Sequence, residues 1–300
     1  MKLPRNTALE DVVELIEAEL VTHDLFFGHS TSNAFEEAAW MGLYVTEQDM
    51  ALEVFDWETT PSEEQIIQLE SLVKKRIETQ LPFAYLIQEA WFCGLRFYVD
   101  ERAIVPRSYF GEWIPDQFAP WIDASKVKRA LDLCTGSGCI AIALADAFPE
   151  AQIDATELSE NALAVAAINV ERHNLQDRVK LYQGDLFADV QGTYDLICSN
   201  PPYISNPRMD HLPAEYLHEP DMAFRGGDEG LDLVDVILRR ASSYLNDGGS
   251  LVVEVGTSAL ALEAKYPELD FMWLSTEDEA TALFLLEKGQ LQMAFPASLV

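Results

Sequence analysis

The chain has 300 residues, 49% of them hydrophobic, a length and composition that suit one large domain with a smaller one beside it. It carries 51 acidic residues against 20 basic, a net charge of −31, which disfavours bare nucleic acid as a partner because phosphate contacts need Lys and Arg. No apolar run reaches the roughly 18 residues of a membrane span, and the opening segment turns acidic at Glu10 without an apolar secretory core, so a soluble cytoplasmic protein is expected.

The acidity is concentrated at the start, where residues 1–70 hold sixteen Asp and Glu against only Lys2 and Arg5. Two readings stand side by side: steering of a strongly basic partner, and a generally acidic proteome. Over residues 8–27, Val12, Leu15, Ile16, Leu20 and Leu25 recur at helical spacing. Residues 33–55 repeat the pattern through Phe35, Ala38, Ala39, Leu43, Met50, Leu52 and Val54. Pro61-Ser62-Glu63-Glu64 opens a third helix, with Ile66, Ile67, Leu69, Leu72 and Val73 inside it. Residues 1–81 are therefore expected to form a helical unit. From Pro82 to Arg107 an aromatic, alternating stretch turns at Gly94 and returns through Ala103-Ile104-Val105, which predicts a β-hairpin connector over 82–107.

Strands and helices then alternate across the third unit, 108–300. Ala130–Leu133, Gln152–Glu157, Val179–Tyr182, Tyr194–Cys198, Ser250–Val255, Phe271–Leu274 and Ala282–Leu286 read as strands. Ile140–Phe148, Ser159–His173 (capped by Ser159) and Leu231–Leu245 read as helices, and Asp247-Gly248-Gly249 as a turn. Such alternation predicts an α/β fold with a mostly parallel, doubly wound sheet of seven strands. The four cysteines, Cys93, Cys134, Cys139 and Cys198, show no metal-type spacing and are expected to be small buried thiols, with no metal site.

The segment Leu131-Asp132-Leu133-Cys134-Thr135-Gly136-Ser137-Gly138-Cys139 joins the first of these strands to a helix. Gly136 and Gly138 allow positive φ and a close approach of backbone to a ligand. Alone, such a turn also suits NAD or another nucleotide. It is similar to the DxGxGxG loop of Rossmann-like class I methyltransferases, with Cys134 in place of the first glycine. That similarity implies S-adenosylmethionine as cofactor, with Thr135, Gly136, Ser137 and Gly138 around its amino-acid part. Glu157, at the end of the next strand, is positioned to accept both ribose hydroxyls. Asp185 and Leu186 follow the third strand, where they would contact the adenine amine and ring.

After the fourth strand comes Asn200-Pro201-Pro202-Tyr203, which resembles the NPPY motif of methyltransferases that act on planar nitrogen. An amide or exocyclic nitrogen is a poor nucleophile because its lone pair is delocalised. The Asn200 side-chain oxygen and the Pro201 carbonyl can accept its two N–H groups and favour the positive charge that develops on nitrogen. Pro201 and Pro202 stiffen the corner, Tyr203 can stack on the flat group, and Asn200 also borders the cofactor.

Beyond these motifs, the chain resembles the PrmB-type protein glutamine N5-methyltransferases, which act on a large-subunit ribosomal protein (the L-three protein). The likeness runs through Thr22–His29, Asn33-Ala34, Ala103–Ser108, the glycine turn, the NPPY corner, Glu219-Pro220 and Gly226–Gly230. The sister family acting on peptide release factors typically carries Arg-Pro-Glu-Thr-Glu where this chain has Arg107-Ser108-Tyr109-Phe110-Gly111. The resemblance implies a basic ribosomal protein as substrate, recognised by the helical unit, with no nucleic acid or membrane contact. Rivals are methylation of release factors, methylation of DNA adenine, and a non-catalytic factor that holds the ribosomal protein. His23 and His29 are expected to be structural and remote from the transfer motif. Arg107 either contacts substrate or pins the connector.

Overall fold

The computed structural model describes residues 1–50, 52, 54–277 and 280–296. Three helices open the chain, Leu9–Val21, Ala34–Val45 and Glu63–Thr79. The first buries Leu9, Val12, Val13, Ile16 and Leu20, one face of a 3.6-residue repeat, and leaves Leu15 in solvent. Asn33 caps the second through Glu36 N–H, and Ser62 and Gln65 form a reciprocal capping box on the third. The second helix stops ten residues short of the expected Phe55. Glu47 turns left-handed with φ +56°, and the Gln48 N–H reaches back to the Leu43 carbonyl, a Schellman-type stop. Of the expected remainder, residues 51 and 53 lie outside the described residues.

A short helix, Phe83–Ile87, precedes the hairpin of β1 (Ala90–Phe92) and β2 (Leu95–Phe97). Its two turn residues, Cys93 and Gly94, both have positive φ, the geometry of a type I′ turn. Ala90 joins the apolar core of the three helices, whereas Phe92 and Phe97 join the core under the sheet. The hairpin thus shares its apolar residues between two cores.

The sheet contains β3 (Arg129–Leu133), β4 (Gln152–Glu157), β5 (Val179–Gln183), β6 (Tyr194–Ser199), β7 (Leu245–Glu254), β8 (Met272–Leu274) and β9 (Leu283–Glu287). Their spatial order is β5-β4-β3-β6-β7-β9-β8, with β3 to β7 parallel and β9 antiparallel to both neighbours. Alternation along each strand feeds two separate cores, Ala130, Leu196, Cys198 and Val252 on one face and Leu131, Leu133, Ile197, Leu251 and Val253 on the other. The expected turn at Asp247-Gly248-Gly249 is instead a bulge inside β7, whose register with β6 jumps from Tyr194↔Leu245 to Leu196↔Ser250. A last helix, Lys288–Ala294, has no counterpart in the sequence-based expectation. The strand order reverses beside β3, and the carboxyl ends of β3, β4 and β6 meet there, where open α/β sheets place their ligand crevice.

Candidate functional site

A cavity of about 830 Å³ opens at that crevice, within the size range of small-molecule sites. Gly136, Glu157, Asp185, Leu186, Asn200, Pro201, Pro202 and Tyr203 all line it, although the chain brings them from four strand ends. Thr135, Ser137 and Gly138 do not. The Thr135 hydroxyl donates to Asp132 at 2.5 Å, and the Ser137 side chain is buried, its hydroxyl without a hydrogen-bond partner among the described residues. Gly138 starts the helix Cys139–Ala147 at φ +83°, and a Cβ there would meet the Ala166 methyl at 3.2 Å. Thr135, Ser137 and Gly138 thus shape the turn from behind, and half-buried Gly136 forms its rim on the cavity.

Cys134 holds φ +61°, a left-handed conformation that costs a non-glycine residue about 1 kcal/mol. Its position in the motif is the one usually held by glycine. Cys134 lines the cavity, and burial pushes its thiol well above the usual thiol range. All four cysteines are free, with Cys139 and Cys198 buried and Cys93 and Cys134 only half-buried. Among the described residues no group of three or more His, Cys, Asp or Glu could hold a metal ion, and no helix is long and apolar enough to cross a membrane.

Glu157 is set by two backbone donors. Gly136 N–H reaches Oε2 and Ser159 N–H reaches Oε1, each at 2.9 Å. Each oxygen keeps a further lone pair for a ligand hydroxyl. A Cβ on Gly136 would meet only the Ile104 methyl, at 3.7 Å, so the turn and the hairpin's return segment form the two sides of a slot. Behind it, burial raises the Asp132 carboxyl to about 7 against the opposing hydrogen bonds from Thr135 and Ala141. Asp132 Oδ1 has no partner among the described residues.

The corner after β6 is anchored by the Ser199 hydroxyl on the Leu133 carbonyl at 2.9 Å. Tyr203 donates to Glu254 Oε1 at 3.1 Å, and Ser108 and Tyr109 N–H occupy Glu254 Oε2 at 2.5 and 3.1 Å. Burial raises the Glu254 carboxyl to about 7 against the hydrogen bonds it accepts and the Arg107 charge. The Tyr203 ring passes so close to Gly256 that a Cβ there would lie 2.4 Å from it.

A further part of the wall comes from the segment after the corner, which contributes Arg208, Leu212, Tyr216, Pro220, Met222 and Phe224 and packs Gly226 and Gly230 against the backbone of Pro202 and Tyr203. Glu219 is its hub. Arg107 donates to both its oxygens at 2.8 and 2.6 Å, Val105 N–H to Oε1 at 2.9 Å, and His29 Nε2 lies 3.1 Å from Oε2. Arg107 thus ties the segment after the hairpin to Glu219, and it also lines the cavity. His29 stands behind the cavity wall, its ring edge-on at 4.9 Å to Tyr216, a lining residue. Burial lowers the His29 pKa, against the pull of Glu219. His23 pairs with Glu19 at the surface.

Burial alone would raise the Glu219 carboxyl. The Arg107 charge and the hydrogen bonds from His29 and Arg107 reverse this and hold it at about 2. A carboxyl depressed on folding contributes stability above its unfolded value of 4.5 that is lost as pH falls toward 2. The window is worth about 3 kcal/mol. Unfolding free energy measured by denaturant is expected to drop across that range, and Glu219→Gln to flatten the drop. Equal slopes for both proteins would contradict it.

Sequence reasoning missed Ser108 and Tyr109 as partners of Glu254, Gly256 as the seat of the Tyr203 ring, and Tyr216 and Phe224 as wall residues. Glu219-Pro220 and Ala103–Ser108 stand out in the sequence only as part of a family likeness, without a role.

A family model described as the methyltransferase small domain matches residues 117–217. A ribosomal protein uL3 glutamine methyltransferase of Neisseria meningitidis is 44% identical over 288 residues, which is 95% of this chain and 94% of that protein. Its counterpart in Burkholderia pseudomallei is 42% identical over 294 residues, 94% of this chain and 95% of the relative. Among solved structures, the hMettl16 catalytic domain is similar at a TM-score of 0.50 and 16% identity, covering 75% of this chain and 81% of that one, a likeness of fold.

Proposed function

The chain belongs to the family of ribosomal protein uL3 glutamine methyltransferases, and from that premise we propose that it methylates the side-chain amide of a glutamine in uL3. The methyl donor is S-adenosylmethionine, and the cavity suits it. The Gly136–Ile104 slot lacks a side chain on one side, and Glu157 keeps free lone pairs for the two ribose hydroxyls. Asp185 and Leu186 border the same cavity for the adenine. When bound, the cofactor supplies an electrophilic methyl group on a sulfonium.

The chain's own residues then have the task of making an amide nitrogen nucleophilic. Asn200 Oδ1 and the Pro201 carbonyl each accept one N–H, which holds the nitrogen in place and favours the positive charge growing on it. Pro201 and Pro202 keep the carbonyl from swinging away. Tyr203 packs beside the amide, and the product nitrogen releases its proton to solvent. The observation that carries this reading is that one cavity is lined by both the Glu157 cradle and the Asn200–Tyr203 corner.

We assign residues 1–81 to substrate recognition, 82–107 to the connector and 108–300 to cofactor binding and catalysis. The acidic helical surface complements a basic ribosomal protein, in the cytoplasm and without direct nucleic acid contact. The test is radiolabelled cofactor with purified uL3, followed by mass spectrometry. Label on one glutamine is expected, and label on release factor but not uL3 would overturn the assignment. Glu157→Ala should weaken cofactor binding in calorimetry by about 2–3 kcal/mol, the worth of charge-assisted bonds to two hydroxyls. An unchanged dissociation constant would remove Glu157 from the ribose site.

A further inference from the structure

We propose that Glu254 is a positioning residue for the transfer, holding Tyr203, and through it the Asn200–Tyr203 corner, in the arrangement that receives the target amide. The inference rests on the transfer reading above. Glu254 ends β7, the neighbour of β6, and the pairing Ser199↔Val253 sets it beside the corner's first residue. The residue is 2% exposed, and its carboxyl meets three donors: the Tyr203 hydroxyl, the Ser108 hydroxyl and Tyr109 N–H. Ser108 in turn accepts from Phe110 N–H at 3.1 Å, so this side of the seat is tied to the segment after the connector. Two residues beyond Glu254, Gly256 leaves the space the Tyr203 ring fills. The end of β7 is thus shaped for this one ring, with a carboxylate for its hydroxyl and no Cβ against its edge.

Packing alone does not call for such a pair. A buried carboxyl costs stability that an apolar residue facing Phe would not. What the pair supplies is a fixed orientation and a negative charge in the wall near the nitrogen that becomes positive. Arg107 is the cation facing Glu254, while Glu112 and Arg208 line the same cavity. Ionised Glu254 accepts from all three donors. Protonated, it must donate its own hydrogen, so either Ser108 or Tyr203 has to turn from donor to acceptor and the three-donor arrangement that fixes the ring is lost. Glu254 ionises as pH rises through about 7, so kcat rises with it.

The experiment is steady-state kinetics with uL3 across neutral pH for the wild type, Glu254→Gln, Tyr203→Phe and the double variant, with cofactor affinity measured by calorimetry. Glu254→Gln keeps the volume of the side chain and an oxygen that still accepts from Tyr203, which guards against a mere folding lesion. Tyr203→Phe leaves β7 untouched and serves as the second probe. Each single change is expected to lower kcat about tenfold, to leave cofactor affinity unchanged and to flatten the rise near neutral pH. The double variant should be no worse than the worse single one, because both act on the same contact, Gln by removing its charge and Phe by removing its donor. Wild-type kcat and pH profile retained in Glu254→Gln, or losses that multiply in the double variant, would overturn the proposal while leaving the transfer reading intact. Wild-type enzyme that labels no glutamine would instead sink that reading.

Discussion

Asn200→Ala is expected to lower kcat by about 10²–10³, the usual cost of deleting one preorganised polar contact to a charge that develops in the transition state. The physical reason lies in the acceptor's chemistry. An amide lone pair is shared with its carbonyl, and alkylation at nitrogen requires that sharing to be given up. An oxygen already aimed at the N–H stabilises the positive nitrogen without having to reorganise at that moment. Asn200 suits this role because Ser199 anchors the strand end behind it and two prolines follow it. Cofactor affinity should change little, since Glu157 and the glycine turn stand on other strands. Single-turnover transfer with saturating cofactor is the measurement. A rate within a few fold of wild type would exclude Asn200 from the transfer step.

Arg76→Met is expected to cost about 3–5 kcal/mol of folding free energy, the range for stranding a buried partner of an ion pair. Arg76 is wholly buried. Its Nε donates to Glu37 at 2.8 Å, one terminal nitrogen to Glu215 at 3.2 Å and the other to the Phe26 carbonyl at 3.0 Å. Glu215 also accepts from Phe26 N–H at 2.8 Å. Methionine fills most of the volume but leaves two carboxylates without their cation. Burial holds the Glu37 carboxyl above its usual range, so acid pH should shrink the loss, and the difference between variant and wild type is larger at pH 8 than at pH 5. Lysine cannot replace the planar fork that serves three acceptors at once. Because Glu215 adjoins Tyr216 in the cavity wall, the surviving enzyme should show a raised KM for uL3 with cofactor affinity retained. Denaturant unfolding at both pH values checks the first part. A loss below about 1 kcal/mol would show that the cluster relaxes into solvent.

Much of the sheet-bearing part of the chain is legible because its signals are local. The expected strand Gln152–Glu157 matches to the residue, and Ser159 caps its helix as expected, since a buried parallel strand and a capped helix are written in a few consecutive positions. The helical start is less legible. The second helix ends at Val45, and Ile67 and Phe35 face solvent, because apolar spacing alone does not say which of two overlapping stripes a neighbour covers. The bulge in β7 reads as a turn because Gly248 and Gly249 suit either, and only pairing with β6 distinguishes them.

By itself the sequence determined the α/β alternation, the glycine turn, the carboxylates at two strand ends and the Asn-Pro-Pro-Tyr corner, all of which depend on spacings of a few residues. The tertiary structure decided the rest. Glu219 meets Arg107 across 112 positions, Glu254 meets Ser108 across 146, and Arg76 meets Glu215 across 139. In a chain with 51 acidic residues, nothing in their order marks which few are buried. A carboxylate leaves water only where folding delivers donors from distant segments to replace it, and those donors are specified by the fold's geometry and not by any neighbour in the chain.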